Sequence, residues 1–329
     1  IKTDLQDPNP AVRDWPALRI STAVHPRQGT KYRVWPLYNF SCGLDDHLMG
    51  VTHIIRGKEH DVNTTRQRWL QKHLGWQYPE IINVGRLGLE AGILSRSKMR
   101  VGIEDGTYAG WDDPRLGPLM ALRKRGIQPE TIRATMLHVG PKPVNVSISW
   151  DNFASTNRKL IEKDSDRYGF IRDPVKLNVT GIKETMVAKL PVHPDYPDRG
   201  TRDFPLAPEG GVVSLVIPGS DAEKLSSGML VRLMGIANVR VTDVGDAITA
   251  EYHSLDHLIA REEKAPFVNW LPEGVGVPAK VVMADASVAE GVAEASVEDM
   301  KPDDMFQFER FGYCRVEESK PFKAYYAHK

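Results

Sequence analysis

The stretch VTHIIRGKEHDVNTTRQRWLQKHLGWQYPEIINV, residues 51–84, decides the fold class. It opens on the β-branched run Val51-Thr52-His53-Ile54-Ile55, takes a helical pattern from Val62 to Leu74, and returns to a short apolar run at Ile81-Ile82-Asn83-Val84. Strand, helix and strand in that order predict the second half of a parallel α/β sheet. Upstream, the first thirty residues are Pro-rich and irregular, and Tyr32 to Tyr38 reads as a strand heading into a turn at Asn39. The segment from Asp46 begins as a short helix-like stretch before the β-branched run.

Immediately downstream, residues 86–98 end in a Ser- and cation-rich run suited to gripping a triphosphate. A polyanionic leaving group needs fixed positive charge with hydroxyl and backbone N–H donors, which Arg86, Ser95, Arg96, Ser97 and Lys98 can supply. The same run read alone is an ordinary solvated surface, so its neighbours carry the argument.

Three helices are predicted next: one over 118–125 with Pro118 in the first turn and Gly126 closing it, one from Pro129 to His138 closed by Gly140, and one from Trp150 to Lys163 capped by Asp151 or Asn152. Beyond about Asp164 the spacing changes to period two. Val212–Ile217, Met229–Met234, Asn238–Val244 and Ala247–Tyr252 read as strands separated by Gly, Asp and Pro turns, the pattern of barrels or a sandwich. Ala284 to Ser296 reads as a surface excursion, and no internal repeat is present.

Composition excludes several classes. With 43 Lys+Arg against 43 Asp+Glu, the chain is no bulk polycation, so any nucleic-acid site must come from local clustering. Two lone cysteines, Cys42 and Cys314, form neither a disulfide framework nor a chelating pair, which favours a reducing, cytoplasmic setting. No apolar run of 18 residues exists, so no membrane partner is expected. Asp45, Asp46, His47, His53, Glu59 and His60 invite a metal or acid–base reading. Their spacing matches no zinc pattern, and no metal site is expected. Asp112-Asp113 before Pro114 reads as a turn.

Several blocks, in order, resemble one family. They are Pro36-Leu37-Tyr38-Asn39-Phe40, Asp45 to Gly57, Leu94-Ser95-Arg96-Ser97-Lys98, Gly110 to Arg115, Asp173 to Leu177 and Phe306 to Tyr313. They resemble the glutamyl-tRNA synthetases of the archaeal and eukaryotic type, with the glutaminyl enzymes beside them. The resemblance implies a multidomain α/β plus β fold. Residues 1–99 would be the remainder of a class I Rossmann-type catalytic domain with the end of its acceptor-binding insertion, 100–163 a helical stem-contact domain, and 164–329 two antiparallel anticodon-binding β-barrels, the distal one roughly over 208–272.

The same resemblance implies roles. Ser95, Arg96, Ser97 and Lys98 would form the mobile loop that steadies pyrophosphate, with Ile93 where the family has a first lysine and Arg96 where it has a second. Arg86, Leu87 and Leu94 would lie against ATP, which brings substrate-associated Mg2+. Tyr38 and Arg56 would recognise glutamate, Arg56 by pairing bidentately with its side-chain carboxylate. Glutaminyl enzymes usually carry an uncharged residue there. Arg115, Arg123, Lys124, Arg125, Arg172, Lys176, Arg232, Arg240 and Arg261 are candidates for tRNA contact. The bland account of Arg123-Lys124-Arg125 is complementarity to a helix dipole. No His-x-Gly-His signature occurs, so the chain is expected to be the C-terminal portion of a longer, monomeric enzyme and inactive alone. A glutaminyl enzyme and a non-catalytic tRNA-binding module are the alternatives.

Overall fold

The computed structural model describes residues 1–90 and 92–329, with only the backbone of Ala11. Ala91, inside the stretch 86–98, lies outside the described residues. The chain divides into two compact units: Ile1–Gly88 with Met136–Ile148, and Leu89–Thr135 with Ser149–Lys329.

The first unit contains the expected strand–helix–strand. Strands β1 (Leu18–Ile20) and β2 (Val34–Pro36) form an antiparallel hairpin, followed by helix α1 (Tyr38–Leu48), β3 (His53–Gly57), α2 (Asp61–Leu74) and β4 (Glu80–Val84). β3 and β4 run parallel, with Ile55 opposite Ile82 and Arg56 opposite Asn83, and α2 is the crossover that a parallel pair requires. α2 buries Thr64, Gln67, Leu70 and Gln71, spaced three or four apart along one face. The turn expected at Asn39 is instead the first turn of α1. Asn39 is buried there, and its preceding Leu37 holds the extended dihedrals of a helix N-cap.

A second short pairing joins β5 (Leu87–Leu89) to β6 (Val146–Ile148). Gly85 just before it could carry no side chain, because a Cβ would sit 1.9 Å from the Val144 carbonyl oxygen.

In the second unit, helices α3 (Arg96–Glu104), α4 (Leu119–Lys124), most of α5 (Pro129–Val139) and α6 (Trp150–Ile161) precede two sheets. Gly126, at φ 85°, ends α4 by donating to the Arg123 carbonyl at 2.9 Å. α6 begins one residue before the expected caps: Ser149 is its N-cap and makes no side-chain capping bond. Asn157 on α6 organises this region. Its Oδ1 accepts from the Gln128 N–H and the Thr131 hydroxyl, both at 2.8 Å.

Each sheet has seven strands. The first orders Phe267–Val268, Leu230–Leu233, Asn238–Val244, Ile248–Ser254, Pro174–Thr180, Val212–Pro218 and Leu271–Pro272 from edge to edge. The second orders Arg167–Tyr168, Met305–Phe308, Gly312–Ser319, Phe322–His328, Val277–Val282, Val288–Ala293 and Phe170–Arg172. Period two works here as expected: Val213, Leu215 and Ile217 point into one core while Val212, Ser214 and Val216 are only partly covered. The second core is a cluster of rings, with Phe308 at 4.8 Å from both Phe170 and Phe306.

Two expectations are corrected. The sheets are not purely antiparallel, since Leu230–Leu233 pairs parallel with Phe267–Val268 and Ile248–Ser254 with Pro174–Thr180, and the second sheet also has two parallel pairings. Hairpins are visible as neighbouring runs in a sequence, whereas pairings between distant segments are not. Residues 284–296 are no surface excursion. Val288–Ala293 pairs on both sides, and Ala289, Ala293 and Val297 are fully buried.

Candidate active site

Arg56 sits on β3 between a strand and a helix, and its guanidinium is held by three neutral oxygens. Nη1 donates to Gln67 Oε1 at 2.9 Å, and Nη2 donates to Thr64 Oγ1 at 2.6 Å and to the Tyr78 hydroxyl at 3.2 Å. Among the described residues no carboxylate oxygen lies within 4.0 Å of it. Burial raises the pKa of the Tyr78 phenol and also that of Asp46, whose carboxyl feels the Arg56 charge. The cation is thus fixed in place with its charge uncompensated at contact distance. Of its five donors three are used; the remainder are Nε, which is buried without a partner, and one Nη1 hydrogen. The two-pronged edge expected of this side chain is therefore already occupied in part by Gln67, Thr64 and Tyr78.

Tyr38 opens α1 and is nearly half exposed, its ring 5.5 Å from that of His60, which follows Arg56 by four residues. The fold brings Tyr38 to the segment after Arg56. The two side chains share no hydrogen bond with each other.

Arg86 lines a cavity of about 580 Å³ with Lys58, Glu59, Asp61, Asn83, Pro143 and Asn145, all in the first unit. Reading the sequence missed most of this lining, because Pro143 and Asn145 come from a segment almost sixty residues downstream. That segment is clamped to 85–87: Gly85 donates to Lys142 O at 2.7 Å, Arg86 N donates to Asn145 Oδ1 at 3.0 Å, and Val146 N donates to Arg86 O at 2.9 Å. Leu87 is exposed beside it. The lining carries two cations, Lys58 and Arg86, and two carboxylates, Glu59 and Asp61, so its formal charge is balanced. No group of three or more metal-binding side chains occurs among the described residues.

In the second unit, the run expected as a loop is the start of a helix. Ser95 is the N-cap of α3, and Arg96, Ser97 and Lys98 form its first turn, with Leu94 just before it; all five are exposed. No acidic residue stands in that turn, and among the described residues Arg96 and Lys98 have no carboxylate within 4.0 Å. Cations at the positive end of a helix dipole oppose the local electrostatics. An anion placed at this turn would offset that repulsion.

The nine cations expected to meet RNA separate sharply. Arg125 is buried, its guanidinium 4.2 Å over the Trp150 ring and donating to Ala327 O at 2.9 Å, and burial lowers its pKa to about 10. It has no surface for a phosphate, which corrects that expectation. Lys124 pairs with Asp112 at 2.6 Å. Arg115 forks onto Asp113 with bonds of 2.8 and 2.7 Å, and this hydrogen bonding holds the Asp113 carboxyl down at about 2. Arg172 pairs with Asp173, Lys176 with Glu273 and Arg240 with Glu263, while Arg232 donates to Asn238 and to Leu255 O. Arg123 is widely exposed with Asp303 no closer than 4.0 Å, and Arg261 is exposed with no ion pair among the described residues. These two are the open cations of the set.

Three models of one family match the chain in succession. The catalytic domain of class I tRNA synthetases (E and Q) matches residues 1–163, and two anticodon-binding domain models of the same group match 165–256 and 241–317. A glutamate–tRNA ligase of Pyrococcus abyssi is 48% identical over 335 residues, covering 100% of this chain and 57% of that protein. Those of Thermococcus kodakarensis and Methanopyrus kandleri are 48% and 46% identical over all of this chain and 57% and 58% of theirs. The chain thus spans little more than half the length of these relatives. With a parallel strand–helix–strand, a cation-rich helix start and two C-terminal sheets matched by anticodon-binding models, the chain belongs to the class I tRNA synthetases of the glutamate and glutamine group.

Proposed function

We propose that this chain supplies part of the active site and the anticodon-binding region of a glutamate–tRNA ligase. In this reading a glutamate α-carboxylate oxygen attacks the α-phosphorus of ATP, the bond to pyrophosphate breaks, and the glutamyl group passes from the adenylate to a terminal ribose hydroxyl of tRNA. No covalent bond to the protein is needed. Arg56 neutralises the side-chain carboxylate of glutamate, and its retained charge disfavours the glutaminyl alternative. Tyr38 walls the amino-acid pocket. The Arg86 cavity of the first unit binds nucleotide, with Leu87 exposed beside it, and in the second unit Leu94, just before α3, is an apolar candidate for ATP contact. ATP with its magnesium ion enters as substrate. Arg123 and Arg261 are the cations open to tRNA phosphates, and the two unpaired thiols suit a reducing, cytosolic setting.

The observation that carries this reading is the α3 start, where Arg96 and Lys98 stand against the helix dipole with no ion pair among the described residues. Developing negative charge on a departing pyrophosphate would relieve that repulsion, so the interaction strengthens as the bond breaks. In the full-length protein, Lys98→Ala should lower glutamate-dependent ATP–pyrophosphate exchange by about 10²- to 10³-fold. The same change should leave the thermal midpoint unchanged or higher, since it removes a misplaced charge worth roughly 0.3–1 kcal/mol. An exchange rate within about twofold of wild type would contradict the proposal.

A further inference from the structure

We infer that Gln67 is the specificity-determining partner of Arg56: as a neutral amide it fixes the guanidinium without cancelling its charge, leaving that charge for an acidic amino acid. This deepens the reading of Arg56 as the glutamate-binding group and rests on it.

Gln67 is fully buried on the inner face of α2, and its Oε1 accepts two hydrogen bonds, from Arg56 Nη1 at 2.9 Å and from the Tyr78 hydroxyl at 2.8 Å. Its amide orientation follows from those donors, since the reverse would set Nε2 against a guanidinium N–H. A partly buried arginine ordinarily finds a carboxylate. Glutamate has the length of glutamine and an equal helix propensity, so a Glu at this position would give Arg56 a close ion pair at no cost in shape. The protein instead surrounds the cation with an amide, a hydroxyl and a phenol. Among the described residues even Gln67 Nε2 is left buried without a partner, a stability cost that a purely structural site would shed. The arrangement makes sense where the missing anion arrives from outside, and where a resident anion would compete with it.

The test uses the full-length protein and pyrophosphate exchange with glutamate or glutamine as substrate. Gln67→Glu should keep or raise the thermal midpoint, because it adds an ion pair, and should raise the glutamate KM about 10- to 100-fold with the ATP KM unchanged. The ratio of glutamate to glutamine kcat/KM should fall by a similar factor, a change that damage to the fold alone would not produce. Wild-type glutamate KM and selectivity in Gln67→Glu overturn the inference. Thr64→Val and Tyr78→Phe each remove one neutral acceptor and leave the charge, so selectivity should survive in both; its loss in either overturns the inference even should Gln67→Glu fail to fold. Arg56→Ala, measured alongside, separates the two levels. If it leaves the glutamate KM unchanged, the reading of Arg56 itself fails; if it raises the KM while Gln67→Glu does not, only the role of Gln67 fails.

Discussion

The guanidinium of Arg125 sits over the indole of Trp150, its Cζ 4.2 Å from the ring centroid, where the end of α4 meets the start of α6. Its neighbour Arg123, two residues earlier, projects into solvent. A run of three cations at a helix end therefore contains one structural residue, one surface-paired residue and one open residue. Helical geometry makes this division, because successive side chains point about 100° apart.

Arg125→Ala should destabilise the second unit by about 2–4 kcal/mol, through loss of the cation–π contact and of the hydrogen bond to Ala327 O. Arg123→Ala should leave the thermal midpoint unchanged, weaken tRNA binding and reduce the slope of log affinity against log salt by about 1. Thermal melts and filter binding across a salt series check both. Equal loss of stability in the two variants would contradict the division.

Asp113 and Arg115 give a pH signature at the acid end. The Asp113 carboxyl titrates lower in the folded state, at about 2, than in the unfolded chain, near 3.9. The stability it contributes is complete above the unfolded value and disappears as pH falls through the folded one. Asp113→Asn should therefore flatten the fall of the urea midpoint between about pH 4 and pH 2. An unchanged acid slope would show that other carboxyls dominate.

His328 acts closer to neutrality. Its Nε2 accepts from Asn157 Nδ2 at 2.9 Å while Nδ1 donates to Lys329 O at 2.9 Å, and burial lowers its pKa. The folded state thus prefers the neutral ring. Stability is complete above the unfolded pKa near 6.5 and is lost as pH falls below it. His328→Asn should be less stable at pH 8 and lose less on going to pH 5.5, as read from urea midpoints. A midpoint in wild type that does not move over that interval would sink the assignment.

Asn145 should matter for nucleotide rather than amino acid. It accepts from the Arg86 backbone N–H across a separation of 59 residues, holding one edge of the cavity that Arg86 lines. Asn145→Ala should raise the ATP KM severalfold and leave the glutamate KM unchanged. Equal rises in both would mean general loosening of the first unit.

Much of this protein is legible in its residues alone. The run from Val51 to Val84 announces a parallel strand–helix–strand because a β-branched run, a 3.6-residue period and a second short run leave few alternatives, and β3, α2 and β4 follow within one or two residues. Asn238–Val244 matches its predicted span for the same reason, a local period ending in turn residues. The helical start of α3 is not legible, since Arg-Ser-Lys has no apolar period and an unfavourable dipole; the buried Met99 and Gly102 further along fix that helix.

Local spacing and side-chain chemistry, which are properties of the chain itself, determined the order of elements and the residue types available for binding anions, and the ordered blocks of sequence carried the resemblance to the family. Which cations are open, which amide faces Arg56 and which distant segment lines the Arg86 cavity were decided only by tertiary packing. Those facts depend on contacts between residues far apart in sequence, such as Arg125 with Ala327 and Arg86 with Asn145, and neither period nor composition records them.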